Sequence, residues 1–142
     1  MPNSKYAQVT DLLAQGKLRW ATDMIEARLV SGSSFDAADK TLADVGSSIS
    51  SSPIQGRWVA EGGNFMGQPV FFGSVQAGTY QVVVVQLMGS GDAAANVLAY
   101  YDSDENDSPL TLDNDGTLAV RPSLLPDQPE GTPQTSRLWM KV

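Results

Sequence analysis

Apolar positions near the start of the chain recur at helical spacing. Tyr6, Val9, Leu12 and Leu13 fall three and four residues apart, which predicts a helix over about 4–15. Asn3 or Ser4 can cap its start, and Gly16 stands where a left-handed C-terminal residue is wanted. A helix this short needs tertiary contacts, so its apolar face must dock. After Gly16 the period changes to two. Leu18 and Trp20 alternate, and Ile25, Ala27 and Leu29 alternate with Glu26 and Arg28, the signature of a strand wet on one face. A weak helical turn through Ala37–Val45 places Leu42 and Val45 inward. The Ser-rich run from Gly46 to Pro53 reads as a loop.

The remainder reads as strands between turn signals: Gly56–Glu61, Pro69–Phe72, Thr79–Met88, Ala94–Tyr101, Leu118–Arg121 and Ser136–Val142. Gln81–Met88 is continuously apolar in its middle, which predicts a central strand buried on both faces. The predicted fold is mainly β with a short N-terminal helix, a small antiparallel sandwich or barrel formed by one domain over 1–142. Four prolines between 122 and 133 predict an extended, Pro-rich stretch. It reads as a surface loop, or as an arm anchored on a neighbouring subunit by Leu124 and Leu125.

Composition narrows the chemistry. The 142 residues include no Cys and no His. That removes disulfides, thiol nucleophiles, thiolate and imidazole metal sites, and the Ser-His-Asp triad. We see no nucleophile elbow, no P-loop and no dinucleotide fingerprint. A carboxylate pair acting on glycosides stays chemically open, without a motif to place it. We therefore expect no enzyme and no cofactor. The start of the chain is polar and leads into no apolar run, so we expect neither signal peptide nor lipid anchor, and a soluble protein.

The net charge of -7 is not evenly spread. Trp58–Val120 holds eight acids and no base, whereas the remainder holds nine bases and eight acids. Such a balance argues against nucleic acid as a partner. Six of the acids crowd into Asp102–Asp115. A solvated acidic loop is the plain reading. A calcium loop is the alternative, with Asp102, Asp104, Asn106, Ser108 and Asp113 at positions 1, 3, 5, 7 and 12 of an EF-hand-like spacing. Against it, Asp107 stands where Gly is wanted, Asp113 where Glu is wanted, Pro109 follows Ser108, and the flanks read as strands. A third reading is an acidic face for a basic partner. Trp20, Trp58 and Trp139 read as core or interface anchors, since each sits in an alternating segment.

The block from Tyr6 to Val30 also carries a resemblance. It runs as a short helix, Gly16, Leu18-Arg19-Trp20, Asp23, and a strand ending Leu29-Val30. This resembles the start of small tailed-bacteriophage virion structural proteins of the capsid cement or decoration type. Leu42–Val45, Asn96–Asp102, Asp115–Val120 and Leu138–Val142 are looser parallels. The resemblance implies a non-enzymatic protein on the capsid exterior, made in the host cytoplasm, that clamps adjacent capsomers. Its implied partners are the major capsid protein and a second or third copy of itself, with neither nucleic acid nor membrane. A tail or head–tail connector subunit is the close rival. A host- or carbohydrate-binding module using Trp58, Tyr100 and Tyr101 is the other. The expected interface residues are Trp20, Leu124, Leu125 and Trp139.

Overall fold

The computed structural model describes residues 3–89, 91–104, 108–122 and 137–141. In chain order the elements are β1 (Asn3–Lys5), α1 (Gln8–Ala14), β2 (Ile25–Val30), α2 (Leu42–Val45), β3 (Ser50–Pro53), β4 (Trp58–Ala60), β5 (Asn64–Gly67), β6 (Val70–Val75), β7 (Gly78–Leu87), β8 (Ala95–Tyr101), β9 (Leu110–Leu112), β10 (Gly116–Val120) and β11 (Arg137–Lys141). All named strand pairs are antiparallel. One sheet runs β1-β8-β7-β2-β3, with β9 pairing the start of β7. A second layer consists of the pair β10-β6 and the triplet β11-β5-β4. The protein is mainly β and sandwich-like, and among the described residues the strands do not close into a barrel.

The layers meet over one core. Ala27, Leu29, Val82, Val84 and Leu98 of the large sheet bury against Phe65, Val70, Phe72, Leu118 and Trp139 of the second layer. The opposite face of the large sheet is not wet. Val83, Val85, Val97 and Tyr100 pack with Tyr6, Leu42 and Phe35 in a separate cluster. Successive side chains of a strand point to opposite faces, so Val82 to Val85 feed the two clusters in turn. The expectation of a strand buried on both faces holds for β7.

The N-terminal helix is shorter than the predicted 4–15. Asn3–Lys5 is instead a strand on the open edge of β8, with Ser4 opposite Tyr100. The Tyr6 amide continues that ladder with a 2.9 Å bond to the Leu98 carbonyl. Tyr6 therefore belongs to the sheet, and α1 begins only at Gln8, with Ala7 rather than Asn3 or Ser4 at its cap. Gln8 is buried, and its amide donates to the carbonyls of Lys40 (2.6 Å) and Val97 (2.8 Å). The helix ends as predicted, with Gly16 at φ 69°.

Other boundaries moved for the same reason: a neighbouring edge decided them. Ser50–Pro53 is a strand, although its Ser-rich composition reads as loop, because β2 offers it an unpaired edge. Only Leu42–Val45 of the predicted turn Ala37–Val45 is helical. The strands β5 and β9 have no counterpart in the predicted set. Leu18 and Trp20 do not begin a strand. They sit in an irregular segment where the Asp23 carboxylate accepts the Arg19 amide at 2.8 Å, and β2 starts at Ile25.

That irregular segment is fastened by Arg57. Its Nε donates to the Trp20 carbonyl at 2.7 Å and its Nη1 to the Ile54 carbonyl at 2.6 Å, while Nη2 donates to the Asp23 carbonyl. The planar fork of a guanidinium matches three carbonyls at fixed positions, which a point-like ammonium cannot. We predict that Arg57→Lys lowers stability by about 1–3 kcal/mol in urea denaturation, since carbonyls lose their donors while the charge is kept. An unshifted midpoint would show that the fork is dispensable.

The second layer has one close approach. A Cβ at Gly67 would lie 2.6 Å from Ile54 Cγ2 and 3.1 Å from Trp139 Cδ1. Both neighbours are buried, so neither swings away freely. Gly67→Ala should cost about 1–3 kcal/mol by overpacking, read from the same denaturation. Wild-type stability in that variant contradicts the packing described.

Candidate functional site

The residues expected at an interface do not stand together on the surface. Trp20 is buried, stacks on Phe65 with ring centroids 5.2 Å apart, and donates its indole N–H to the Met66 carbonyl at 2.7 Å. Trp139 is also buried, meets Tyr101 edge-on at 5.5 Å, and donates to the Gln68 carbonyl at 3.2 Å. Both indoles are core residues with their polar atoms satisfied. They are corrected from interface anchors to packing anchors, because alternation places a side chain on a face without saying what covers that face. Leu124 and Leu125 lie outside the described residues.

Of the three rings considered for a carbohydrate or host-binding face, Tyr100 and Tyr101 are buried. The Tyr100 hydroxyl donates to the Ser33 carbonyl at 2.9 Å. Trp58 is the exposed one.

The acidic run is partly consumed by backbone. Asp104 Oδ1 accepts the Ser108 amide at 3.0 Å, and the Asp104 amide returns a 2.8 Å bond to the Ser108 carbonyl. Ser103 and Pro109 form a β-bridge beside it. Asp115 Oδ1 accepts the Ala77 amide at 2.8 Å and ties β10 to the turn before β7. Of the calcium-loop candidates, Asp102 and Asp104 flank Ser103, Asp113 follows β9 and is exposed, and Asn106 lies outside the described residues. Among the described residues no three acidic side chains group as a metal site would require.

A cleft of about 270 Å³ lies between the edges β1 and β11. Ser4, Lys5 and Tyr101 line one side, and Trp139, Met140 and Lys141 the other. Its volume is at the lower limit of small-molecule sites. The Tyr101 hydroxyl is sealed from solvent and has no hydrogen-bond partner among the described residues. The lining contains two lysines and no acid, which supplies no paired acid and base.

The surface is more informative than the cleft. Large apolar side chains stand exposed on separate elements: Met24 (68%) and Met88 (60%), Phe71 (54%), and Trp58 (41%) with Val59 (50%). The Leu87 amide donates to the Met24 carbonyl at 2.9 Å, so Met24 and Met88 share one end of the β2–β7 pair. Phe71 projects from β6, with the Arg121 guanidinium carbon 5.8 Å from its ring centroid. Trp58 and Val59 lie on the edge strand β4. Periodicity flagged Trp58, but Met24, Val59, Phe71 and Met88 carried no signal that separated them from core positions.

Comparison of the chain with family models, curated proteins and solved structures returns no match. No helix among the described residues is long and apolar enough to cross a membrane.

Burial pushes the hydroxyls of Tyr6 and Tyr101 well above the ordinary tyrosine value, with Asp39 adding to the effect at Tyr6. A fold that keeps a phenol neutral is fully favoured below about pH 10 and loses that favour as pH rises, because only the unfolded chain ionises. Tyr101→Phe removes a hydroxyl that has no hydrogen-bond partner among the described residues. It should match or exceed wild-type stability at about pH 7, by up to about 1 kcal/mol, and lose less between about pH 9 and 11. A destabilised variant in thermal melts would reveal a partner for that hydroxyl.

Proposed function

We propose that this chain is a non-enzymatic structural protein of a tailed-phage particle, a cement or decoration protein that binds the capsid exterior and bridges neighbouring capsomers. The observation that carries this reading is the distribution of exposed apolar side chains. Met24 with Met88, Phe71 with Arg121, and Trp58 with Val59 lie on different parts of the two-layer fold. A clamp needs more than one contact surface, whereas a catalyst needs one concave site with convergent polar groups.

The resemblance of Tyr6–Val30 to small virion proteins supports the same reading. So does the acidic middle of the chain, which suits a basic partner surface. Each contact is small, and repetition over an icosahedral shell multiplies a weak affinity. The partners are the major capsid protein and further copies of this chain. A tail or head–tail connector subunit would use the same surfaces at much lower copy number. Leu124 and Leu125 remain candidate arm anchors.

Quantitative mass spectrometry of purified particles should find this chain in fixed proportion to the major capsid protein. Its absence overturns the proposal, and a handful of copies moves it to the tail. In a reconstitution with shells lacking the chain, Phe71→Asp combined with Met88→Asp should weaken binding at least about 10-fold while circular dichroism stays unchanged. Full occupancy by the double variant excludes these two surfaces.

A further inference from the structure

We propose that the cleft between β1 and β11 binds a small ionised carboxylic acid, its apolar body against Trp139 and its carboxylate toward Lys5 and Lys141. The two strands end their respective sheets, and the cleft of about 270 Å³ lies between them. Its walls are mostly apolar, with Ala99 and Tyr101 on one side and Trp139 and Met140 on the other. The Tyr101 and Trp139 rings meet edge-on at 5.5 Å. The Trp139 indole N–H already donates to the Gln68 carbonyl, so this ring offers an occupant apolar surface and no further donor. A cavity of about 150 Å³ can hold a benzene ring, so this cleft has room for one ring and a carboxylate.

Charge selects the ligand. The chain has sixteen acids and nine bases, yet among the described residues the cleft is lined by two lysines and no acid. Lys5 does not simply extend from a sheet edge into water. It stands opposite Ala99, and opposed residues of an antiparallel pair share a face. Ala99 and Tyr101 face the core between the layers. Lys5 is therefore turned toward that gap, and it is half-buried there. The two ion pairs among the described residues both belong to Arg28, so neither lysine is neutralised by one. A partly buried ammonium without a counter-ion is unfavourable, and its attraction for an anion grows as water is excluded. An acid with an apolar body satisfies the lysines and the aromatic wall together. A lysine that only deters strand pairing at an edge predicts no affinity for such an acid.

Benzoate serves as the probe and benzyl alcohol as its neutral counterpart. Followed by amide NMR of the isolated protein, benzoate should shift Lys5, Ala99, Met140 and the Trp139 indole N–H saturably, with a Kd of about 1–10 mM. Benzyl alcohol should bind the same cleft at least about 5-fold more weakly. Lys5→Gln combined with Lys141→Gln should weaken benzoate at least about 5-fold, while amides away from the cleft keep their wild-type positions. The absence of a saturable shift at these positions up to about 50 mM benzoate overturns the site. Equal affinity for benzoate and benzyl alcohol, or a double variant that binds benzoate as the wild type does, overturns the assignment to an acid. The measurement uses no capsid, so its outcome is separate from that of the particle reading.

Discussion

Everything in this fold answers to one constraint: β7 is buried on both faces. Its valines alternate between two clusters, and each fully buried valine contributes about 1.5–3 kcal/mol only if its face stays dry. One face is dried by the second layer and α1. Among the described residues the other has no sheet against it, and the connection from β2 to β3 folds back as a cover. Phe35 and Leu42 do this, together with Tyr6, whose ring lies 5.0 Å from that of Phe35. The capping box at α2, where Asp44 accepts the Thr41 amide at 3.1 Å, fixes that cover. A segment that composition marks as connection is thereby half of a hydrophobic core.

The polar end of β7 is equally constrained. Gln86 is buried in the sheet, and its amide donates to the Lys17 carbonyl (2.8 Å) and to Asp23 (2.7 Å). Its oxygen accepts Asn96 Nδ2 at 3.2 Å. A buried amide is tolerated when its groups are paired. Through Asp23 the same network reaches Arg57 and the Trp20 carbonyl. The irregular segment between α1 and β2 is thus bonded to β7 at one end and to the entry of β4 at the other. That second attachment sets β4 at the rim of its sheet with Arg57 beside it.

How much of this is readable in the sequence depends on whether the signal is local. The runs at β7, β8 and β11 carry their own hydrophobic pattern, and the predicted strands there agree to within about two residues. The strands β1, β3, β5 and β9 are three or four residues long, and a partner's open edge decides them. Ser50–Ser52 has no strand propensity of its own and becomes one beside β2. The candidate site suffers from the same gap. Alternation shows that Trp20 and Trp139 occupy a definite face, but whether that face meets core or water depends on the rest of the chain. Val59 and Phe71 are as apolar as any core residue, and their exposure is a property of the assembled sheets.

The charge distribution links these levels. The acids between β8 and β10 include Asp104 and Asp115, which satisfy backbone amides at turns. Turns select short side chains with an acceptor, so part of the negative charge follows from connecting strands tightly. The resulting net charge keeps copies of the chain apart in general. Contact between copies is then favoured only where a local pattern outweighs that repulsion. Screening weakens the general repulsion over about 8 Å at physiological salt and leaves short-range contacts largely intact. The acidic surface therefore suppresses unspecific association, and which association remains is decided by short-range contacts.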